Sequence, residues 1–251
     1  MTFVKFTVES DRGLKRTINE DRAAFYERPD HFKLAILADG MGGHNAGDVA
    51  SEMALTQLAS MFETASAEQL AEQPQAWLQQ CAAKINEAIY HYALTHEDCN
   101  GMGTTLIAVL LNEALCTIVH IGDSRVYHFT SEGPQLITSD HSFVNALLKT
   151  GQISEEEAQN HPNKNFILKA VGTEKRVEPD FYTVTLRPNE YLLICSDGLS
   201  NKMTAMDMAA IVFNEQSMVQ KGQQLVELAN ANGGEDNISV VLLMMDEEVD
   251  A

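Results

Sequence analysis

Acids at five places in this chain stand at the ends of strand-like runs or in the polar turns beside them, three of them directly next to glycine. Asp39 closes Leu34-Ala35-Ile36-Leu37-Ala38 and precedes Gly40, and Asp197 follows Leu192 to Ser196 and precedes Gly198. Asp123 lies in Gly122-Asp123-Ser124-Arg125, Asp236 in Gly233-Gly234-Glu235-Asp236-Asn237, and Glu20 and Asp21 end the segment Arg16-Thr17-Ile18-Asn19. Turns at strand ends would gather these acids at one edge. Carboxylates crowded in low dielectric repel one another, and a cluster is tolerable only when cations neutralise it. Oxygen ligands without Cys or paired His select hard divalent ions, Mg²⁺ or Mn²⁺. Taken singly, each Asp-Gly reads better as an ordinary turn; five such sites in order shift the balance toward a metal centre.

The elements that must position the acids are legible in the hydrophobic pattern. Strand-like runs cover Phe3 to Val8, Phe32 to Ala38, Thr104 to Leu111, Ala114 to Ile121, Arg125 to Phe129, Phe181 to Leu186, Tyr191 to Cys195 and Ile238 to Met245. Short polar turns such as Asn112-Glu113 and Arg187-Pro188-Asn189-Glu190 read as hairpin connections, so the sheets should be antiparallel. Amphipathic helices are expected over Ala46 to Phe62 and Pro74 to Leu94, with shorter ones at Ser142 to Lys149, Ser154 to Gln159, Ala205 to Phe213 and Ser217 to Asn230. The pattern predicts an α+β sandwich.

Charge narrows the function. Among 251 residues, 17 Lys+Arg face 36 Asp+Glu, a formal charge of -19. That field repels phosphate backbones and anionic lipid, and no local basic patch offsets it, which argues against nucleic acid and membrane as partners. The N-terminus has no apolar h-region, and no apolar run reaches transmembrane length. Cys81, Cys99, Cys116 and Cys195 are widely spaced, which predicts buried thiols in a reducing, cytoplasmic setting rather than a zinc or disulfide framework.

Six segments together resemble the ordered motif series of the metal-dependent protein phosphatases of the 2C type. They are Arg16 to Asp21, Asp39-Gly40-Met41-Gly42-Gly43-His44, Gly122 to Tyr127, Thr138-Ser139-Asp140-His141-Ser142, Cys195 to Leu199 and Gly234 to Ile238. The compact length and the Asp-Gly-Met-Gly-Gly-His form are similar to the bacterial branch, and the likeness spans nearly the whole chain. It implies a four-layer α-β-β-α sandwich of two antiparallel sheets flanked by helices. Residues 1–251 would form a single phosphatase domain, with a flap at about residues 141–180 beside the active site.

The resemblance also implies an activity, removal of phosphate from phosphoserine and phosphothreonine, with two Mn²⁺ or Mg²⁺ ions at a core site and a third, weaker one. Asp39 would bridge the two core ions, with the Gly40 carbonyl on one of them. Asp197 and Asp236 would ligate the other, and Asp21 and Glu20 would complete a shell through water. Such a pair of ions lowers the pKa of a bridging water enough to supply hydroxide for in-line attack on phosphorus. Arg16 matches the phosphate-binding arginine. Asp140, joined by Asp197 and Asp123, would hold the third ion; for Asp123, hydrogen-bonding its own turn and pairing with Arg125 is an equal alternative. Many eukaryotic relatives have a histidine directly after the Asp-Gly, where this chain has Met41. His44 is therefore the candidate general acid, with water as the alternative.

The remaining histidines read as surface or core residues and His141 as a helix-start residue. Met203, Met206 and Met208 read as buried packing, and the Asn237-Ile238-Ser239 sequon is discounted for a cytoplasmic protein. Phosphorylated proteins are the implied substrates and a Hanks-type Ser/Thr kinase the implied partner. Two rivals stand beside this reading. A pseudophosphatase that only binds phosphoproteins should have lost metal aspartates, and this chain keeps them all; a metal-dependent nuclease is opposed by the acidic field.

Overall fold

A computed structural model of the chain describes residues 4–43 and 46–246. The strands are β1 (Val4–Asp11), β2 (Asp21–Glu27), β3 (Lys33–Met41), β4 (Gly103–Thr104), β5 (Leu106–Asn112), β6 (Leu115–Ile121), β7 (Arg125–Thr130), β8 (Gly133–Leu136), β9 (Asp180–Thr185), β10 (Tyr191–Cys195) and β11 (Ile238–Met245). The helices are α1 (Ala46–Thr64), α2 (Ala67–Glu72), α3 (Pro74–Thr95), α4 (Phe143–Lys149), α5 (Glu155–Gln159), α6 (Asp197–Ser200), α7 (Ala205–Val212) and α8 (Met218–Ala231). One sheet has the order β1-β11-β10-β7-β8, the other β2-β3-β5-β6-β9 with β4 on β3, and every pairing is antiparallel.

The central strands are almost continuously apolar because both of their faces are covered, which is unusual for antiparallel sheets and explains why they do not alternate with polar residues. Successive side chains on a strand point to opposite faces. Leu34, Ile36 and Ala38 of β3 therefore pack with Leu106, Ala108 and Leu110 of β5 under α1 and α3, while Ala35, Leu37, Ile107 and Val109 face the other sheet. In β10 and β11, Leu193, Cys195, Val240 and Leu242 pack under α7 and α8, and Leu192, Ile194, Val241 and Leu243 meet the first set in the middle layer. Three apolar layers between four layers of secondary structure give the expected α-β-β-α sandwich.

The structure departs from the sequence expectation in identifiable places. The Arg187-Pro188-Asn189-Glu190 turn is not a hairpin: β9 pairs with β6 and β10 pairs with β7 and β11, so the turn carries the chain from one sheet to the other. Leu186, fully buried, and the bond from the Asn189 N–H to the Met245 carbonyl (3.0 Å) pin the crossing. Strands β2 and β8 escape the pattern search because both are half-buried sheet edges without clean alternation. Met203 and Met208 are buried as expected, whereas Met206 is 68% exposed on the outer face of α7. Cys81, Cys116 and Cys195 are buried free thiols, and Cys99 is half-buried.

Candidate active site

Register brings the acids together. Asp21 opens β2 and Asp39 lies near the end of β3, and the two are directly paired across the ladder. Cys195 pairs with both Val240 and Arg125, so the turns after β10, before β11 and before β7 meet at the same end of the sandwich. Those turns hold Asp197, Asp236 and Asp123. Asp11, the last residue of β1, pairs with Ile238, so the loop at residues 12–20 also starts there and crosses to β2 with Arg16 and Glu20.

Close backbone approaches fix this edge. At Gly13, with φ +77°, a Cβ would lie 2.1 Å from the Asp236 carbonyl oxygen, so only glycine lets the loop lie against the Asp236 turn. At Gly198 a Cβ would lie 1.9 Å from the Asn237 carbonyl oxygen. Asn237, buried between them, uses its whole side chain: its Oδ1 accepts from the Glu20 N–H (2.8 Å), and its Nδ2 donates to the carbonyls of Arg12 (2.8 Å) and Ile18 (2.9 Å). The sequon is thus a buried knot that ties the Arg16 loop to Asp236.

Hydroxyls hold the Asp39 backbone and the Asp21 carboxylate. The Asp39 N–H donates to Thr105 Oγ1 (2.9 Å), and the Asp39 carbonyl accepts from Thr104 Oγ1 (2.9 Å) and the Thr105 N–H (2.8 Å). Ser196 Oγ donates to Asp21 Oδ2 (2.8 Å) and accepts from the Ser239 N–H (2.9 Å). None of Thr104, Thr105, Ser196, Ser239 and Asn237 was singled out from sequence as a site residue. The visible signal was limited to their place beside motif acids, because hydroxyl and amide side chains are common in every turn.

The electrostatics are those of an acid cluster only partly compensated by Arg16 and Arg125. Burial, followed by the charges of Asp21, Asp197, Asp123 and Asp236, holds the Asp39 carboxyl well above the usual carboxylate range. Burial raises Asp21 to about 6 against the stabilising bond from Ser196. Burial and then Asp140 raise Asp123 to about 7, and burial and then Asp123 raise Asp197 to about 8. Asp21 Oδ1 and Asp123 Oδ1 are buried with no hydrogen-bond partner among the described residues. A buried carboxylate oxygen without a donor is costly and calls for a cation. Among the described residues no three acids or histidines already converge as a closed metal cage. The donor set nevertheless suits Mg²⁺ or Mn²⁺, since it offers hard oxygens and bare buried ones, with no thiolate among them.

The other expected site residues are placed as follows. Arg16 is exposed and donates through Nη2 to Asp236 Oδ2 (2.8 Å), so the expected phosphate-binding arginine reaches the cluster. Gly40 is buried against Gly47 at the start of α1. The Glu20 carboxylate is hydrogen-bonded by the backbone of Gly47 and Asp48, which puts it on the N-terminus of α1 rather than among the aspartates. Asp123 does not take Arg125 as its partner; Arg125 binds Asp140 instead, with Nη2 to Oδ2 at 2.7 Å and Nε to Oδ1 at 3.0 Å. His44 lies outside the described residues. His141 precedes the Ser142 cap of α4, and its ring, 4.9 Å from that of buried His120, accepts from the Gly122 N–H (3.1 Å). Asp123, Asp140 and Asp197 open onto a cleft of about 890 Å³ whose far walls come from Val144 and Leu148 of α4, Lys164 and Asn165, and Met203 to Ala205.

Comparisons with known proteins identify the family and the fold. The chain is 42% identical over 234 residues to serine/threonine phosphatase stp of Listeria innocua, covering 93% of each, and 40% identical over 247 residues to protein phosphatase PhpP of Streptococcus pneumoniae, covering 98% and 99%. Its fold superposes on the S. agalactiae serine/threonine phosphatase with a TM-score of 0.93 at 38% identity, covering 97% and 100% of the two chains. It also matches the catalytic domain of the phosphatase PstP in complex with two manganese ions, with a TM-score of 0.86 at 33% identity, covering 98% and 100%. The family pattern "Protein phosphatase 2C" matches residues 14–242, and with these relatives it establishes that the chain belongs to the protein phosphatase 2C family.

Proposed function

We propose that this protein serine/threonine phosphatase hydrolyses phosphoserine and phosphothreonine in proteins, using two Mn²⁺ or Mg²⁺ ions at a core site and a third held more weakly. The observation that carries the reading is the cross-strand pair of Asp21 and Asp39, set among Asp197, Asp236 and Asp123, with bare buried oxygens on Asp21 and Asp123. In this reading Asp39, with the Gly40 carbonyl beside it, Asp197 and Asp236 would hold the core ions, and Asp21 would support them. Glu20, held at the N-terminus of α1, would act at most through water. Asp123 and Asp197 would hold the third ion; Asp140, expected beside them, is engaged by Arg125. Bound divalent ions would supply hydroxide from water at neutral pH and neutralise charge that develops on the phosphoryl group.

The chain's own residues supply the rest. Arg16 can exchange Asp236 for two phosphoryl oxygens, because a guanidinium donates in a fork that matches them. The cleft beside Asp123 and Asp197 admits the peptide around the phosphorylated side chain. His44, three residues after Met41, is the candidate to protonate the leaving seryl or threonyl oxygen, with water as the alternative. Residues 1–251 act as one phosphatase domain, with residues 141–180 as the flap. A Hanks-type kinase in the cytoplasm would supply the phosphoproteins; among the described residues no helix is long and apolar enough to cross a membrane. The pseudophosphatase alternative loses ground because no aspartate of the motif series is missing.

The test is turnover of a phosphothreonine peptide by the full chain. Activity should vanish in EDTA, return with Mn²⁺ and be absent in Asp39→Ala. Undiminished turnover in chelator, or an active Asp39→Ala protein, would sink the mechanism. Faster cleavage of single-stranded DNA than of the peptide would favour the nuclease.

A further inference from the structure

We propose that Arg125 is a resident counter-cation that keeps Asp140 out of the third cation site and so sets how weakly that site binds a divalent ion. The proposal rests on the metal reading above. Arg125 is the first residue of β7, and its register opposite Cys195 fixes where its side chain starts. The guanidinium grips Asp140 from two sides, with Nε to Oδ1 at 3.0 Å, Nε to Oδ2 at 3.2 Å and Nη2 to Oδ2 at 2.7 Å, while Nη1 reaches Tyr127 Oη at 3.4 Å. Both side chains are mostly covered, 27% exposed for Arg125 and 13% for Asp140. A guanidinium does not release its proton, so the neutralisation of Asp140 is permanent.

Asp123, two residues earlier, is only 8% exposed, and its Oδ1 has no hydrogen-bond partner among the described residues. It opens onto the same cleft as Asp140 and Asp197. An incoming ion there finds two carboxylates, Asp123 and Asp197, and a third that is already engaged. It also meets the field of a fixed positive charge. Both effects lower its affinity, while Asp21 and Asp39 lie on the other sheet and only the shared Asp197 carries the influence of Arg125 toward the core.

Mn²⁺ titration of the chelator-stripped full chain by calorimetry tests this, in the unaltered protein and in Arg125→Met and Arg125→Lys. Removing the charge and freeing Asp140 should tighten the weakest Mn²⁺ constant by roughly tenfold in Arg125→Met, as expected for a unit charge a few ångströms away in a partly hydrated site. Lysine keeps a charge but not the two-point grip, so Arg125→Lys should tighten it by about two- to threefold. The tight constants should change less than the weakest one, since Asp197 also feels Arg125. Arg125→Met strands a buried carboxylate; if it fails to fold, Arg125→Lys decides alone. An unchanged or weakened third constant with normal tight uptake overturns the Arg125 assignment. No tight uptake in the unaltered chain overturns the metal reading together with it.

Discussion

Replacing Asp197 with asparagine should stabilise the metal-free protein while abolishing its activity. Burial, and after it the charges of Asp123, Asp236 and Asp21, lift the Asp197 carboxyl from 3.8 to about 8, with Arg125 pulling the other way. The folded-state pKa is raised, so the penalty is absent below the unfolded value and grows as pH rises toward the folded one. Near pH 8 the full difference would amount to about 5 kcal/mol, at about 1.4 kcal/mol per pK unit. Asp197 is only half-buried by surface area, and water reaching it screens the cost, which leaves about 2 kcal/mol. For a chain of this size that corresponds to a rise in Tm of about 4–8 °C. Asparagine keeps the acceptor for Asn201 Nδ2, now 3.1 Å from Asp197 Oδ2, so little else is disturbed. The assay is thermal unfolding in EDTA for the native chain and Asp197→Asn near pH 8 and again near pH 5, where the gain should shrink to about a third of its value. With saturating Mn²⁺ the order should reverse, because only the native chain gains the full binding energy. An equal or lower Tm for the chelated variant near pH 8, or a larger gain near pH 5, would refute the argument that the site is an electrostatically strained acid cluster.

Other substitutions separate chemistry from scaffolding. Arg16→Ala should lower kcat/KM for a small aryl phosphate by about 10²-fold, mainly through KM, since it removes the fork but no carboxylate; an unchanged KM would detach Arg16 from the phosphate. Asn237→Ala should cost about 3 kcal/mol in denaturant unfolding, because it leaves the Glu20 N–H and the carbonyls of Arg12 and Ile18 without their buried partner. Thr105→Val removes the acceptor for the Asp39 N–H and the contact with Ser124 Oγ (2.9 Å), and should cost about 1–2 kcal/mol and weaken Mn²⁺ uptake measurably by calorimetry. Gly13→Ala should lower Tm by several degrees, on the order of 2 kcal/mol or more, since its Cβ would collide with the Asp236 carbonyl at a positive φ.

The sequence by itself determined the central strands, the long helices and the identity of the acids. Runs such as Leu34 to Ala38 and Val240 to Leu243 are apolar at every position because both faces are buried, and burial is written residue by residue. Asp-Gly and Gly-Asp at strand ends are local signals, and six motifs in order were enough to identify the family. Partnership was decided only by the tertiary structure. Arg125 is two residues from Asp123 and fifteen from Asp140, yet it pairs with Asp140, because β8 turns the chain back and brings the 138–142 segment beside β7. Glu20, next to Asp21 in sequence, points to α1, since adjacent residues entering a strand face opposite sides. The crossing at residues 187–190 looked like a hairpin because a turn's residues specify its bend and not the sheet that its next strand joins. Hydrogen bonds such as those of Asn237 span more than two hundred residues of chain. No local pattern encodes them, and they form only when the two sheets have packed and left a polar group with one available partner.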